Sequence, residues 1–158
     1  MRSFFFTLTL ILFGQWNCQS QTVLDTDGLN NLENVFLFSL KQYCNSLDSL
    51  KTNVVYVRND HFIGDSWPTK IKSFEIKYLY TEKDYKVAIK ENGGRVTIVG
   101  ICPFDFRNGQ FSTGVIPFSA TYSKGITHLS NGGGLTIYFE YDPEKKGMIY
   151  KSEKWSGI

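Results

Sequence analysis

An excess of charge of either sign is missing from this sequence: Lys and Arg number 17 against 15 Asp and Glu. The two signs are interspersed, as in YTEKDYK (Tyr80–Lys86) and DPEKKG (Asp142–Gly147). A balanced, mixed surface offers no electrostatic footprint for nucleic acid or for an anionic membrane, so neither is expected as a partner. Histidine is scarce, with His61 and His128 alone, and there is no His-x-x-x-His or Cys-x-x-Cys spacing that would build a metal site. No Gly-x-Ser-x-Gly elbow is present, and no cofactor fingerprint, so neither cofactor nor metal is expected. Long apolar runs are absent too. The longest, Phe4–Phe13, would span about 15 Å as a helix, half of a bilayer core and too short for a comfortable crossing.

That run is nevertheless the most informative stretch. Arg2 supplies a short positive start, Phe4–Phe13 an apolar centre, and small or polar residues follow, which is the layout of a secretory signal. Residues 1–20 are therefore read as a signal peptide and 21–158 as one globular domain. In length, charge and the placing of Cys18 the segment resembles a bacterial lipoprotein signal, in which a cysteine is lipidated and becomes the first mature residue. It departs from that pattern just upstream, where Gln15 and Asn17 stand in place of Leu and a Gly or Ala, with Trp16 between. Signal peptidase I offers the other route: Cys18 and Ser20 are small residues at the third and first positions before a cut at Gln21. Either route implies export, to the periplasm, to the medium or to a membrane held only through lipid at Cys18.

Removing Arg2 with the leader lowers the formal charge from +2 to +1. About 138 residues remain, enough for one domain. Cysteine then falls from three to two, since Cys18 is lipidated or cut away. In an oxidising compartment Cys44 and Cys102 could close a loop of about 60 residues, a bridge credited with about 4 kcal/mol. The alternative is two separate buried thiols packed as small apolar groups.

From Asp27 to about Leu50, Leu29, Leu32, Phe36, Leu40, Cys44 and Leu47 recur every three or four residues, one face of an amphipathic helix. Asn30 with Glu33, or Asp27, supplies a start signal. The period then changes to two. NVVYVRN from Asn53, IKSFEIKYLY from Ile71, YKVAIKE from Tyr85 and RVTIVGIC from Arg95 read as strands, with Asn92-Gly93-Gly94 as a hairpin turn. Further strands are expected at Val115–Tyr122, Leu135–Tyr141 and Met148–Trp155, the last two joined by DPEKKG. The expected fold is α+β: one N-terminal helix on a curved antiparallel sheet of six or seven strands, a cystatin-like or NTF2-like layout. A partly closed β-barrel with one helix is the alternative.

Three groups of residues are candidates for chemistry or contact. Asp60, His61 and Asp65 share a loop and with a distant His128 hold the residue types of a two-His, one-carboxylate metal site, though no spacing demands one, and Asp60, His61 or His128 could titrate in a small envelope enzyme with a pocket in the sheet's concavity. The glycines of SNGGGLT (Ser130–Thr136) lead into a strand, which is the wrong context for a phosphate cradle. Trp67 beside Pro68, and Phe104, Phe106, Arg107 and Phe111 after Pro103, are aromatic and Arg side chains on turn-rich segments. Such residues build partner-binding surfaces, and they also close the ends of small cores. The expected function is a non-catalytic exported module of the bacterial cell envelope that binds a protein or small ligand, as an inhibitor or immunity-type protein would. Self-association through an exposed strand edge is a third course.

Overall fold

The computed structural model describes residues 24, 34–47, 52–60 and 63–157. They form α1 (Val35–Ser46), β1 (Val54–Arg58), β2 (Lys70–Ile71), β3 (Phe74–Leu79), α2 (Glu82–Glu91), β4 (Arg95–Ile101), β5 (Asp105–Arg107), β6 (Gln110–Ser123), β7 (Ile126–Asn131), β8 (Gly133–Asp142) and β9 (Gly147–Gly157). The strands make one open sheet in the order β2-β3-β1-β4-β6-β8-β9, and β5 and β7 also pair with β6. The α+β class stands. Three details of the expected architecture are corrected: the described residues contain two helices and nine strands, the sheet is mixed, and it is not closed into a barrel.

The second helix and the mixed sheet both come from one segment. YKVAIKE is not a strand but most of α2, because the local signals there favour a helix over its alternating Tyr85, Val87 and Ile89. Thr81 Oγ1 accepts from the Asp84 N–H at 3.4 Å, and the Asp84 carboxylate accepts from the N–H groups of Thr81 at 2.7 Å and Tyr80 at 3.0 Å, a complete capping box. At the other end Asn92-Gly93-Gly94 ends the helix instead of turning a hairpin. Gly93 and Gly94 have φ of 74° and 94°, and the Gly94 N–H donates to the Ile89 carbonyl at 2.9 Å. Glu, Lys and Ala between these caps are good helix formers.

With a helix after β3, a crossover is available. The chain passes over β1, so β3 and β4 both lie parallel to it, with Val55 level with Ile76 and Val57 level with Val99. The remaining ladders are antiparallel. β1 is covered on both sides, which is why VVYV shows no polar alternation.

The helices take opposite faces. α1 begins at Asn34, whose Oδ1 accepts from the Leu37 N–H at 2.8 Å. It buries Phe36, Leu40 and Cys44 together with Val35, Leu37 and Tyr43 against Val55, Val57, Val99, Ile101, Val115, Leu135 and Ile137. The earlier part of the expected helix, residues 27–33, and its expected caps at Asp27 and Asn30 lie outside the described residues. On the other face Ala88 and Ile89 of α2 cover Tyr56, Leu79, Val96, Ile98 and Ala120. β6 is long enough to change partners: Val115–Thr121 pairs with β4, while its first residues pair with β5 and β8 and its last with β7. Among the described residues no helix is long and apolar enough to cross a membrane.

Candidate functional site

An aromatic row crosses the α1 face where β6 has left β4. The register sets Phe106 opposite Phe111, Phe111 opposite Phe139 and Phe139 opposite Tyr150, so four successive strands each contribute one ring. Cross-strand aromatic neighbours of this kind stabilise the sheet that carries them. The middle of the row is covered. Phe104 stacks on Phe111 at 5.6 Å, with planes 8° apart, and tilts against Phe139 at 5.9 Å. Phe38 of α1 meets Phe139 edge-on at 6.1 Å and Tyr150 at 5.6 Å.

Phe106 escapes that cover. Its ring lies 4.5 Å from Phe111, yet the residue is 58% exposed, and Tyr141 on β8 is 47% exposed. Between them runs an open cleft of about 600 Å³, floored by Phe111 and Phe139 and flanked by Asn108, Gln110, Glu140 and Lys151. The tight β5–β6 turn sets its lip: Asn108 and Gly109 have φ of 52° and 76°, the left-handed pair of a two-residue hairpin. Glu140 and Lys151 of the cleft form an ion pair, and Arg107 pairs with Asp105 on the strand that carries Phe106, each at 2.6 Å and solvent-exposed. Such pairs orient charge while adding little stability.

The structure divides the four aromatic and Arg residues singled out by sequence. Phe106 and Arg107 stand at the surface. Phe104 is half-buried against the core, and Trp67 is 4% exposed, its ring edge-on to Tyr78 at 6.5 Å. Tyr78 donates its hydroxyl proton to the Pro68 carbonyl at 2.9 Å and so closes the same corner. Trp67 therefore leaves the partner-binding set, because offering its ring would open the core. Tyr141 was missed by sequence reasoning, since its alternation with Phe139 marks it as another inward residue. The Asn108-Gly109 pair between Phe106 and Phe111 was the available signal for the turn.

The structure does not join Cys44 to Cys102: both are free thiols. Cys44 is packed under α1, where burial pushes its pKa up to about 11. Cys102 follows Ile101 and pairs with Gly114 through its N–H, so its side chain lies on the opposite face. A Cβ on Gly114 would stand 3.2 Å from the Cys102 sulfur. Burial raises the Cys102 pKa, and the Arg58 cation partly opposes that. Neither thiol is activated as a nucleophile.

Arg58 and Asp60 do meet, with Nε at 3.0 and 3.1 Å from the two carboxylate oxygens. The guanidinium also lies over the Phe118 ring at 5.8 Å, seated on Gly100, where a Cβ would come within 3.0 Å of that ring. Histidine does not complete this group. His128 pairs with Thr121, which stands level with Arg95, while Arg58 stands at the level of Gly100; the separation is about 17 Å along β4. Asp65 is exposed on a turn. His61 lies outside the described residues, as do Cys18 and the whole signal segment. Among the described residues no three His, Cys, Asp or Glu side chains are grouped to hold a metal ion. Gly133, from the glycine run, opens β8 with φ of 143° and lies so close to Ser156 that a Cβ would strike its carbonyl. No protein-family model matches this chain, no curated protein is similar to it in sequence, and no solved structure matches its fold.

Proposed function

We propose that this chain is an exported binding module of the bacterial cell envelope that meets a protein partner at the cleft between Phe106 and Tyr141. One observation carries the reading: two large aromatic side chains, Phe106 and Tyr141, stay exposed on either side of a cleft floored by the covered rings of Phe111 and Phe139. Exposed aromatics and Arg around a water-excluding floor are the material of binding hot spots, and rim charges of both signs suit a protein surface. The cleft lacks the parts of a catalyst. Its lining holds no His, and its one carboxylate, Glu140, is ion-paired with Lys151. The leader supplies the export half of the proposal, with lipid at Cys18 as the tether.

The test places a photo-crosslinking side chain at position 106 in the native host, with position 83 on the exposed side of α2 as control. A discrete adduct from position 106 that disappears when Tyr141→Ala is added supports the reading. No adduct, or the same adducts from both positions, overturns it. Intact mass of the membrane fraction tests the tether: a mature chain starting at Cys18 with added acyl groups supports it, and one starting at Gln21 rejects it.

A further inference from the structure

Away from that cleft, in the middle of the strand order, β1 and β4 pair only at Tyr56↔Ile98 and Val57↔Val99. A continued ladder would set Val55 against Thr97. Instead the two parallel strands part toward their N-termini, and a cavity of about 370 Å³ opens between Val54–Val55 and Val96–Thr97. Because it lies in the gap, it is lined from both faces of the sheet. Tyr43 and Leu47 approach from the α1 side and Asn92, at the end of α2, from the other.

The charge of the lining is one-sided. Val55, Val99, Leu47 and the Tyr43 ring give it an apolar side and Thr52, Asn53, Asn92 and Thr97 a polar one, and it contains no Asp, Glu or His. Its one cation is Arg95. Asn92 spends both amide hydrogens within the protein, donating to Tyr56 Oη at 3.1 Å and to the Ala88 carbonyl at 2.8 Å. The Tyr56 hydroxyl thus already accepts and keeps its own proton to donate, with no acceptor for it among the described residues. Arg95 and the Thr97 hydroxyl share the α1 face of β4 with Val99, opposite Val55 and beside Leu47, and a cation and a hydroxyl next to apolar side chains complement a single negative charge on an apolar body.

We propose that this slot is a binding site for a small monoanionic amphiphile, a carboxylate carrying an apolar chain. The apolar chain enters between the parted strands and is stabilised by loss of its hydrated surface. The carboxylate stays at the mouth, where the Arg95 fork binds it through two parallel N–H bonds. Val55 and Thr97 part because the slot must admit a chain that a completed ladder would exclude.

Octanoate is titrated into the mature protein and followed by amide chemical shifts, with octanamide as the uncharged analogue. Saturable shifts are expected at Val55, Asn92, Thr97 and Val99, with octanamide binding at least tenfold more weakly. Arg95→Gln, an exposed substitution that leaves the core untouched, is expected to weaken octanoate at least tenfold, and Phe106→Ala to leave it unchanged. Absence of saturation at millimolar octanoate, shifts confined to other residues, or equal binding of acid and amide would each overturn the proposal. Indifference to Arg95→Gln overturns it too. The Phe106 cleft is read by a different experiment, so either proposal can fail alone.

Discussion

Cys44 and Cys102 stand on opposite faces of one sheet, the first beneath α1 and the second against Gly114 on the face that carries Arg58. The backbone of β4 and β6 lies between them, and no rotamer change brings their sulfurs to bonding distance. Protein from the native host, alkylated after denaturation without reductant, is expected to carry the alkyl group on both the Cys44 and the Cys102 peptides. Recovery of a single peptide pair linked through these two residues would contradict the fold as described.

Trp67 and Phe106 look alike in sequence and differ in burial, so their truncation should differ in cost. Trp67→Ala empties a packed corner beside Tyr78 and is expected to lower unfolding stability by about 3–5 kcal/mol. Phe106→Ala removes a ring that touches Phe111 on one side only and should cost about 1 kcal/mol. Urea unfolding of the two variants checks the ordering, and equal losses would place both rings in the core.

Stability should fall in alkali before the ordinary charged surface is disturbed. Burial raises Cys44 from 9.0 to about 11 and Tyr43 from 10.0 to about 12, with the neighbouring Cys44 adding to the rise in Tyr43. In each case the folded state holds its proton more tightly than the unfolded chain. The contribution is whole below pH 9, and it is lost from about pH 9 to 11 for Cys44 and from about pH 10 to 12 for Tyr43. The urea midpoint measured from pH 8 to 11 is expected to decline, and Cys44→Ala should flatten the first part of that decline. A midpoint constant to pH 11 in the parent protein would count against the burial of both groups.

The capping box of α2 predicts a small loss at neutral pH and a separate effect in acid. Thr81→Ala should lower stability by about 1 kcal/mol. The backbone N–H groups of Thr81 and Tyr80 hold the Asp84 carboxylate below its usual range, so its contribution is present above that range and disappears as pH falls through the lowered value. Asp84→Asn should therefore flatten the acid limb of the stability profile. An unchanged limb in this variant would show that the carboxylate adds nothing to the cap.

How much of this was legible depended on whether period or punctuation decided an element. Phe36, Leu40 and Cys44 marked the buried side of α1, and Phe74 and Ile76 that of β3, because in both cases the apolar period matched the backbone. In α2 the period pointed to a strand, with Tyr85, Val87 and Ile89 alternating, and the caps pointed to a helix. Thr81, Asp84 and the two glycines prevailed, since Val87 ends up 45% exposed and contributes little. The parallel pairing of β1 was hidden by the same misreading, for without α2 there is no crossover. β5 and β7 were too short or too polar to stand out. Of the candidate sites, Phe106 and Arg107 were visible as residue types in a turn-rich segment, whereas the parting of β1 from β4 is a matter of register and leaves no trace in composition.

The place of β1 also sets the order in which the molecule can be built. Its two neighbours come later in the chain, β3 by way of a long connection and β4 only after α2 has crossed above it. No local hairpin nucleates the centre of the sheet, and both pairings require distant segments to meet before any contact repays the lost chain entropy. The hairpins from β6 to β9 have no such delay. Folding is thus expected to start at the C-terminal meander, with β1 inserted late as the strand that joins it to the rest, so a chain emerging from a ribosome or a translocon stays uncommitted until nearly all of it has appeared.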